Sequence, residues 1–179
     1  MALSGIYPVI NAQARYEETY TAIDGTDKSF PGGNPGDASY DNQGGQWVFA
    51  KASETISAYQ LCKISTAATP LAEPVKAADI DALVPRLGIP QVGIASGSYG
   101  WLWRGPGGGV GHGIKVLAAT NCAQDVLLFA TATDGVVDDA VVTDDCIAGL
   151  TICATITTAA AAECYASVTV ACNLDEGVA

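Results

Sequence analysis

The residues with chemistry to offer are few and far apart. Residues 105–113 read Gly-Pro-Gly-Gly-Gly-Val-Gly-His-Gly and contain the chain's single histidine, His112. Glycine-rich runs cradle phosphate when their spacing is G-x-G-x-x-G or when they end in Gly-Lys-Ser/Thr ahead of a helix. Neither pattern is present: Ile114 precedes Lys115, Val116 follows it, and no helix-forming stretch comes next. The run reads as a flexible hairpin tip, because glycine accepts positive φ at no steric cost. Ser96-Gly-Ser-Tyr-Gly100 approaches a nucleophile elbow but has serine where the first glycine is required. A serine nucleophile also needs a base beside it, and His112 is the sole histidine candidate. Asp134, Asp138, Asp139, Asp144 and Asp145 crowd one region, as Asp24 and Asp27 do more sparsely. Carboxylates at that density can hold Ca²⁺, but the EF-hand spacing and its closing Glu are missing, and solvated turn residues are the simpler reading. The six cysteines, Cys62, Cys122, Cys146, Cys153, Cys164 and Cys172, form no Cys-x-x-Cys pair. They read as reduced, core-filling thiols rather than zinc ligands or disulfides. The expectation is a chain without catalytic residues, cofactor or metal.

Residues 91–104 carry the clearest pattern. Tyr99, Trp101 and Trp103 alternate with Gly100, Leu102 and Arg104, so a strand would place the three rings on one face. Val92 to Ala95, a Ser-Gly-Ser turn and this strand read as a hairpin. Three roles suit the aromatic face. It can pack a β-domain core, it can form an interface hot spot together with Arg104, or it can stack on a carbohydrate.

These residues must be positioned by a chain of 179 residues, long enough for one full domain that hides about 70% of its extended surface. Charged residues make up only 15%, against about 25% in an average soluble domain, and mean hydropathy is +0.26. Repeated contact with other subunits would cover such a surface. Lys and Arg total 8 against 19 Asp and Glu, for a net charge of −11. Without a basic stripe, nucleic acid is not an expected partner. No run approaches the ~20 apolar residues of a membrane span, and residues 1–8 lack the features of a secretory signal, so synthesis in the cytoplasm is expected.

Residues 1–45 contain Pro8, Pro31, Pro35 and the pairs Gly32-Gly33 and Gly44-Gly45. They read as an extended arm, with a weak helical pattern over Ala12 to Tyr20. Residues 46–179 read as the folded domain. Strands are expected at Trp47–Lys51, Thr55–Ile64 (with a turn near Ser57-Ala58), Val92–Ala95, Tyr99–Arg104, Gly113–Leu117, Val126–Thr131, Ile147–Ile152 and Tyr165–Cys172. A helical turn is expected over 77–83, a hairpin at Asp134-Gly135, and a loop, strand edge or short helix within Thr155–Ala162. Short strands separated by glycine turns make an all-β fold, a small β-barrel or β-sandwich behind an irregular arm.

The succession Leu87-Gly-Ile-Pro-Gln-Val-Gly-Ile-Ala-Ser, then Tyr99-Gly-Trp-Leu-Trp-Arg-Gly, then Asp125-Val-Leu-Leu-Phe-Ala-Thr-Ala-Thr-Asp-Gly-Val-Val-Asp-Asp and Ile147-Ala-Gly-Leu resembles structural proteins of tailed-bacteriophage particles. It is most similar to the small β-rich head decoration, or cement, proteins. The likeness spans about 46–172, rests on the order of short motifs, and carries over no catalytic residue. It implies a homotrimer on the capsid exterior that bridges major capsid protein subunits. On that reading Tyr7, Tyr16, Tyr20 and Phe30 would anchor the arm. The tip, with Gly107, Gly108, Gly109 and His112, would be a contact loop. The competing reading is a tail- or fibre-associated module that binds host glycans through Tyr99, Trp101 and Trp103.

Overall fold

The computed structural model describes residues 20–21, 27–28, 35–41, 43–67, 69–76, 79, 86–141 and 146–168. Two sheets organise them. The first contains β3 (Ala38–Tyr40), β4 (Gln46–Ala52), β5 (Cys62–Ile64), β6 (Leu71–Pro74), β7 (Leu87–Pro90) and β8 (Tyr99–Gly105). Its order is β3-β4-β6-β5-β7-β8, and β8 returns to pair with β4. Five strands thus close into a barrel, and β3 lies outside it along β4. The β4–β6 pair is parallel, and the other ladders are antiparallel. A ring this narrow has room only for side chains. Small and branched residues fill it: Val48, Ala50, Ala52, Ile56, Cys62, Ile64, Ala72, Ile94 and Leu102 form one buried cluster. Gly100 also faces inward, where a Cβ would collide with the Ile94 side chain.

The second sheet contains β9 (Gly107–Gly108), β10 (Lys115–Ala118), β11 (Leu128–Ala130), β12 (Val137–Asp138), β13 (Cys146–Ile147), β14 (Leu150–Ile152) and β15 (Ala162–Val168). Its order is β13-β11-β12-β10-β15-β14, and β9 pairs with the end of β15. Burial alternates along β10 and β15. Val116, Ala118, Cys164, Ala166 and Val168 form a dry face, and Lys115, Glu163, Tyr165 and Ser167 face outward. The dry face packs on the outer side of the β4–β8 wall, in one cluster with Trp47, Phe49, Trp101 and Trp103. Strands β4 and β8 are therefore buried on both faces, which explains their runs of four consecutive buried residues. Each large apolar side chain fully buried there contributes about 1.5–3 kcal/mol.

The all-β expectation holds. The Asp134-Gly135 turn joins β11 to β12 as an antiparallel hairpin, with Gly135 at φ 72°. Other expected boundaries shift for identifiable reasons. The hairpin partner of Tyr99–Arg104 is Leu87–Pro90 (Ile89 opposite Trp103, Pro90 opposite Leu102), not Val92–Ala95. Of the latter only Ile94 pairs, as an isolated bridge to Ile56 across the barrel. Strand β11 starts two residues late, because Asp125 adopts a left-handed φ of 57° and leaves Val126 and Leu127 exposed in a loop. Thr155 to Ala161 is irregular, without the short helix considered there. Of the helical turn over 77–83, only Asp79 is among the described residues, and Tyr165–Cys172 is described as far as Val168 within β15.

Gly36 donates its N–H to Phe49 O at 2.7 Å, and β3 pairs with β4, so residues from Gly36 onward are hydrogen-bonded to the first sheet. Ahead of it, β1 (Tyr20–Thr21) and β2 (Asp27–Lys28) pair antiparallel with each other as a separate two-stranded sheet. Among the described residues no helix is long and apolar enough to cross a membrane.

Candidate functional site

The aromatic strand serves the interior. Trp101 and Trp103 are 2% and 1% exposed. The Trp101 ring lies 5.1 Å from Phe49 at 47°, and Tyr99 stacks on Phe49 at 5.7 Å, with Lys51 Nζ 5.7 Å from the centre of the Tyr99 ring. Of the three roles read from the sequence, core packing describes both tryptophans. The glycan-stacking platform is corrected, since neither indole face is open to a sugar. Tyr99 is half-buried. Arg104 donates from Nε to Leu87 O (3.2 Å) and from Nη1 to Gln46 Oε1 (3.4 Å), which joins β8 to the strands on either side of it.

The glycine tip is not a free, flexible loop. Gly107 and Gly108 pair with Val168 and Ser167 of β15, and Gly109 N–H donates to Ala166 O at 2.6 Å. Gly108 requires glycine: its φ is 104°, and a Cβ there would strike the Ala166 carbonyl. His112 fastens the tip to the barrel. Its side chain is 8% exposed, and Nε2 lies 2.7 Å from Asp41 Oδ2. Its Nδ1 accepts the Gly108 N–H at 3.1 Å. A ring nitrogen that accepts a backbone N–H carries no proton, so Nε2–H is the donor to Asp41. With both ring nitrogens engaged, this Asp–His pair holds two loops together and offers no lone pair to a nucleophile.

Asp41 is the centre of the arrangement. Its Oδ1 accepts the N–H groups of Gln43 and Gly45, each at 2.9 Å. Its Oδ2 accepts Trp47 Nε1–H at 2.8 Å as well as His112. Gln43 Nε2 reaches Gly111 O at 3.3 Å across the same junction. Gly45 makes the approach of these groups feasible: a Cβ there would lie 2.6 Å from Trp103 Nε1, 2.7 Å from Asp41 Oδ2 and 2.8 Å from His112 Cε1. Partial burial alone would raise the Asp41 pKa, but the bonds from Trp47, His112, Gln43 and Gly45 outweigh it, and the carboxyl sits below its ordinary 3.8. A group depressed in the folded state adds stability that is present above its unfolded pKa and is lost as pH falls through its folded value. The stability difference between the wild type and Asp41→Asn is therefore expected to be constant at neutral pH and to shrink below about pH 4, followed by thermal melts across that range.

The remaining residues read as contacts divide plainly. Tyr7, Tyr16 and Phe30 lie outside the described residues, and Tyr20 is placed by its backbone in β1. The exposed large apolar side chains of the described residues are separated along the chain, the most open being Tyr40, Val110 at the apex of the tip, Leu127 and Val141, the last 81% exposed. Comparison with known protein families, with curated proteins and with solved structures finds no match.

Proposed function

We propose that the chain is a non-enzymatic decoration protein of a tailed-phage capsid, which binds the outside of the assembled head and bridges major capsid subunits. The observation that carries this reading is the contrast between its two parts. The body has turned its aromatic face and its single histidine inward, to hold two layers together. Ahead of the barrel β1 and β2 pair with each other, and among the described residues neither strand joins either of the larger sheets. A stiff platform carrying a separate peptide segment suits a protein whose work is attachment. The order of motifs over 46–172, which resembles that of head cement proteins, points the same way. The exposed Val110, Leu127 and Val141 offer apolar anchor points. A homotrimer would present each of them three times. Binding only the assembled lattice stabilises that lattice by mass action, so each contact need supply little free energy.

Deletion of residues 1–34 tests the reading. Cosedimentation with expanded, undecorated heads is expected to fall at least tenfold, while circular dichroism and the melting temperature of the body stay near those of the full chain. A truncated chain that decorates heads as well as the full one would remove the arm from the mechanism. A full-length chain that fails to bind any assembled head would remove the function.

A further inference from the structure

At one end of the second sheet, a buried thiol and two adjacent carboxylates converge from two stretches of chain. Cys122 lies in the loop after β10 and is fully buried. Asp138 ends β12, and Asp139 follows it. The Cys122 sulfur and one carboxylate oxygen from each aspartate all lie within 4.8 Å of one another. Cys164 of β15 brings a second thiol beside Cys122, close enough to act on it electrostatically. The Asp139 N–H donates to Asp138 Oδ1 at 2.9 Å, and Asp139 Oδ2 accepts the Ala123 N–H at 3.1 Å, while the Cys122 S–H donates to no acceptor among the described residues, unlike Cys62 and Cys164, which donate to Gln60 O and Ala154 O. The two carboxylates interact directly, and no Lys or Arg among the described residues forms an ion pair with either. A buried thiol without an acceptor, within 4.8 Å of two carboxylates that have no counter-ion among the described residues, is an arrangement that a cation would complete.

We propose that Cys122, Asp138 and Asp139 form a binding site for a divalent transition-metal ion, with zinc the best match. The ligand set makes the selection. Ca²⁺ and Mg²⁺ prefer all-oxygen shells, and a thiolate disfavours them. Zinc takes sulfur at about 2.3 Å and carboxylate oxygen at about 2.0–2.2 Å, in a tetrahedron whose corners are roughly 3.3–3.8 Å apart. The ligand atoms therefore need to close by less than about 1.5 Å. Zinc replaces the Cys122 proton: the S–H bond breaks, the sulfur lone pair forms the Zn–S bond, and one H⁺ leaves to solvent. The fourth position is left to water or to Cys164. The bound ion would tie the loop after β10 to the end of β12, beside their parallel bridge at Ala118 and Val137.

The test uses the full chain, reduced and stripped of metal with EDTA. Zn²⁺ is expected to raise the melting temperature with saturation at one equivalent, and Cd²⁺ to produce a thiolate-to-metal ultraviolet absorption band. Both signals are expected to weaken at least tenfold in Cys122→Ser and in the Asp138→Asn/Asp139→Asn double variant, and Ca²⁺ at the same concentration to do nothing. The double variant is isosteric and decides the matter if Cys122→Ser fails to fold. Absence of a Zn²⁺ effect on the wild type would overturn the site. So would a zinc affinity unchanged in the variants, because the remaining cysteines would then be the ligands, and so would a Ca²⁺ effect equal to that of zinc.

Discussion

Trp101→Ala is expected to destabilise the protein by about 3–5 kcal/mol, the range for removing a large aromatic side chain from a packed core. Trp101 sits opposite Phe49 in the central β4–β8 ladder and projects outward from the barrel into the core beneath the second sheet. Its ring packs on Phe49, which in turn carries Tyr99. The cavity left by alanine would be bounded by two rigid sheets that cannot collapse into it, which puts the loss toward the upper end. Trp101→Phe keeps the aromatic contact and should cost less than half as much. Urea titration reads both, with the denaturant slope unchanged if the native and unfolded states stay the same. Val110→Ala, on the exposed apex of the tip, supplies the contrast, within about 0.5 kcal/mol of wild type. A loss below about 1 kcal/mol for Trp101→Ala would mean that the wall is not the principal core.

The second large effect is expected at Asp41. Alanine there deprives four donors of their acceptor: the backbone N–H groups of Gln43 and Gly45, the Trp47 indole and His112. At roughly 1 kcal/mol for each hydrogen bond, less what water recovers for Gln43, the loss is about 2–4 kcal/mol. Asp41→Asn separates charge from geometry. An amide oxygen can still serve the two backbone donors, but its NH₂ would then face Trp47 Nε1–H and His112 Nε2–H, donor against donor. His112 cannot relieve the clash by changing tautomer, because Nδ1 already accepts the Gly108 N–H. The asparagine variant should therefore lose more than half of what alanine loses. Limited proteolysis should also show faster cleavage within residues 105–113 in both variants. Near-wild-type melting of Asp41→Asn would show that the charge and its partners contribute little.

How much of this was legible in the sequence follows from the range of the signals. The period-two alternation of Tyr99, Trp101 and Trp103 fixed a strand and a shared face, and the Asp134-Gly135 pair marked a real hairpin, because both patterns are local. Which surface the aromatic face covers is decided by β10 and β15, more than ten residues further on, and no local pattern encodes that partner. The alternation also hid the double burial of β8, since Gly100 and Leu102 read as spacers although they line the barrel. Asp41 was missed for a related reason. Asp-Asn-Gln-Gly-Gly after Tyr40 has the composition of a side-chain-capped turn, but its two glycines and the prolines upstream made it read as the end of the arm. Its partner His112 is 71 positions away. The glycine run 105–113 misled in the opposite sense. Abundant glycine suggests freedom, but here it permits the close approach to β15 that removes freedom.

Because the same two strands, β4 and β8, supply one side of the barrel's filling and one side of the core beneath the second sheet, neither layer can come apart while the other survives. Loosening the wall opens both at once. The body should thus behave as a single cooperative unit with no half-open form, so that an exterior load applied at any one contact is shared by the whole of it.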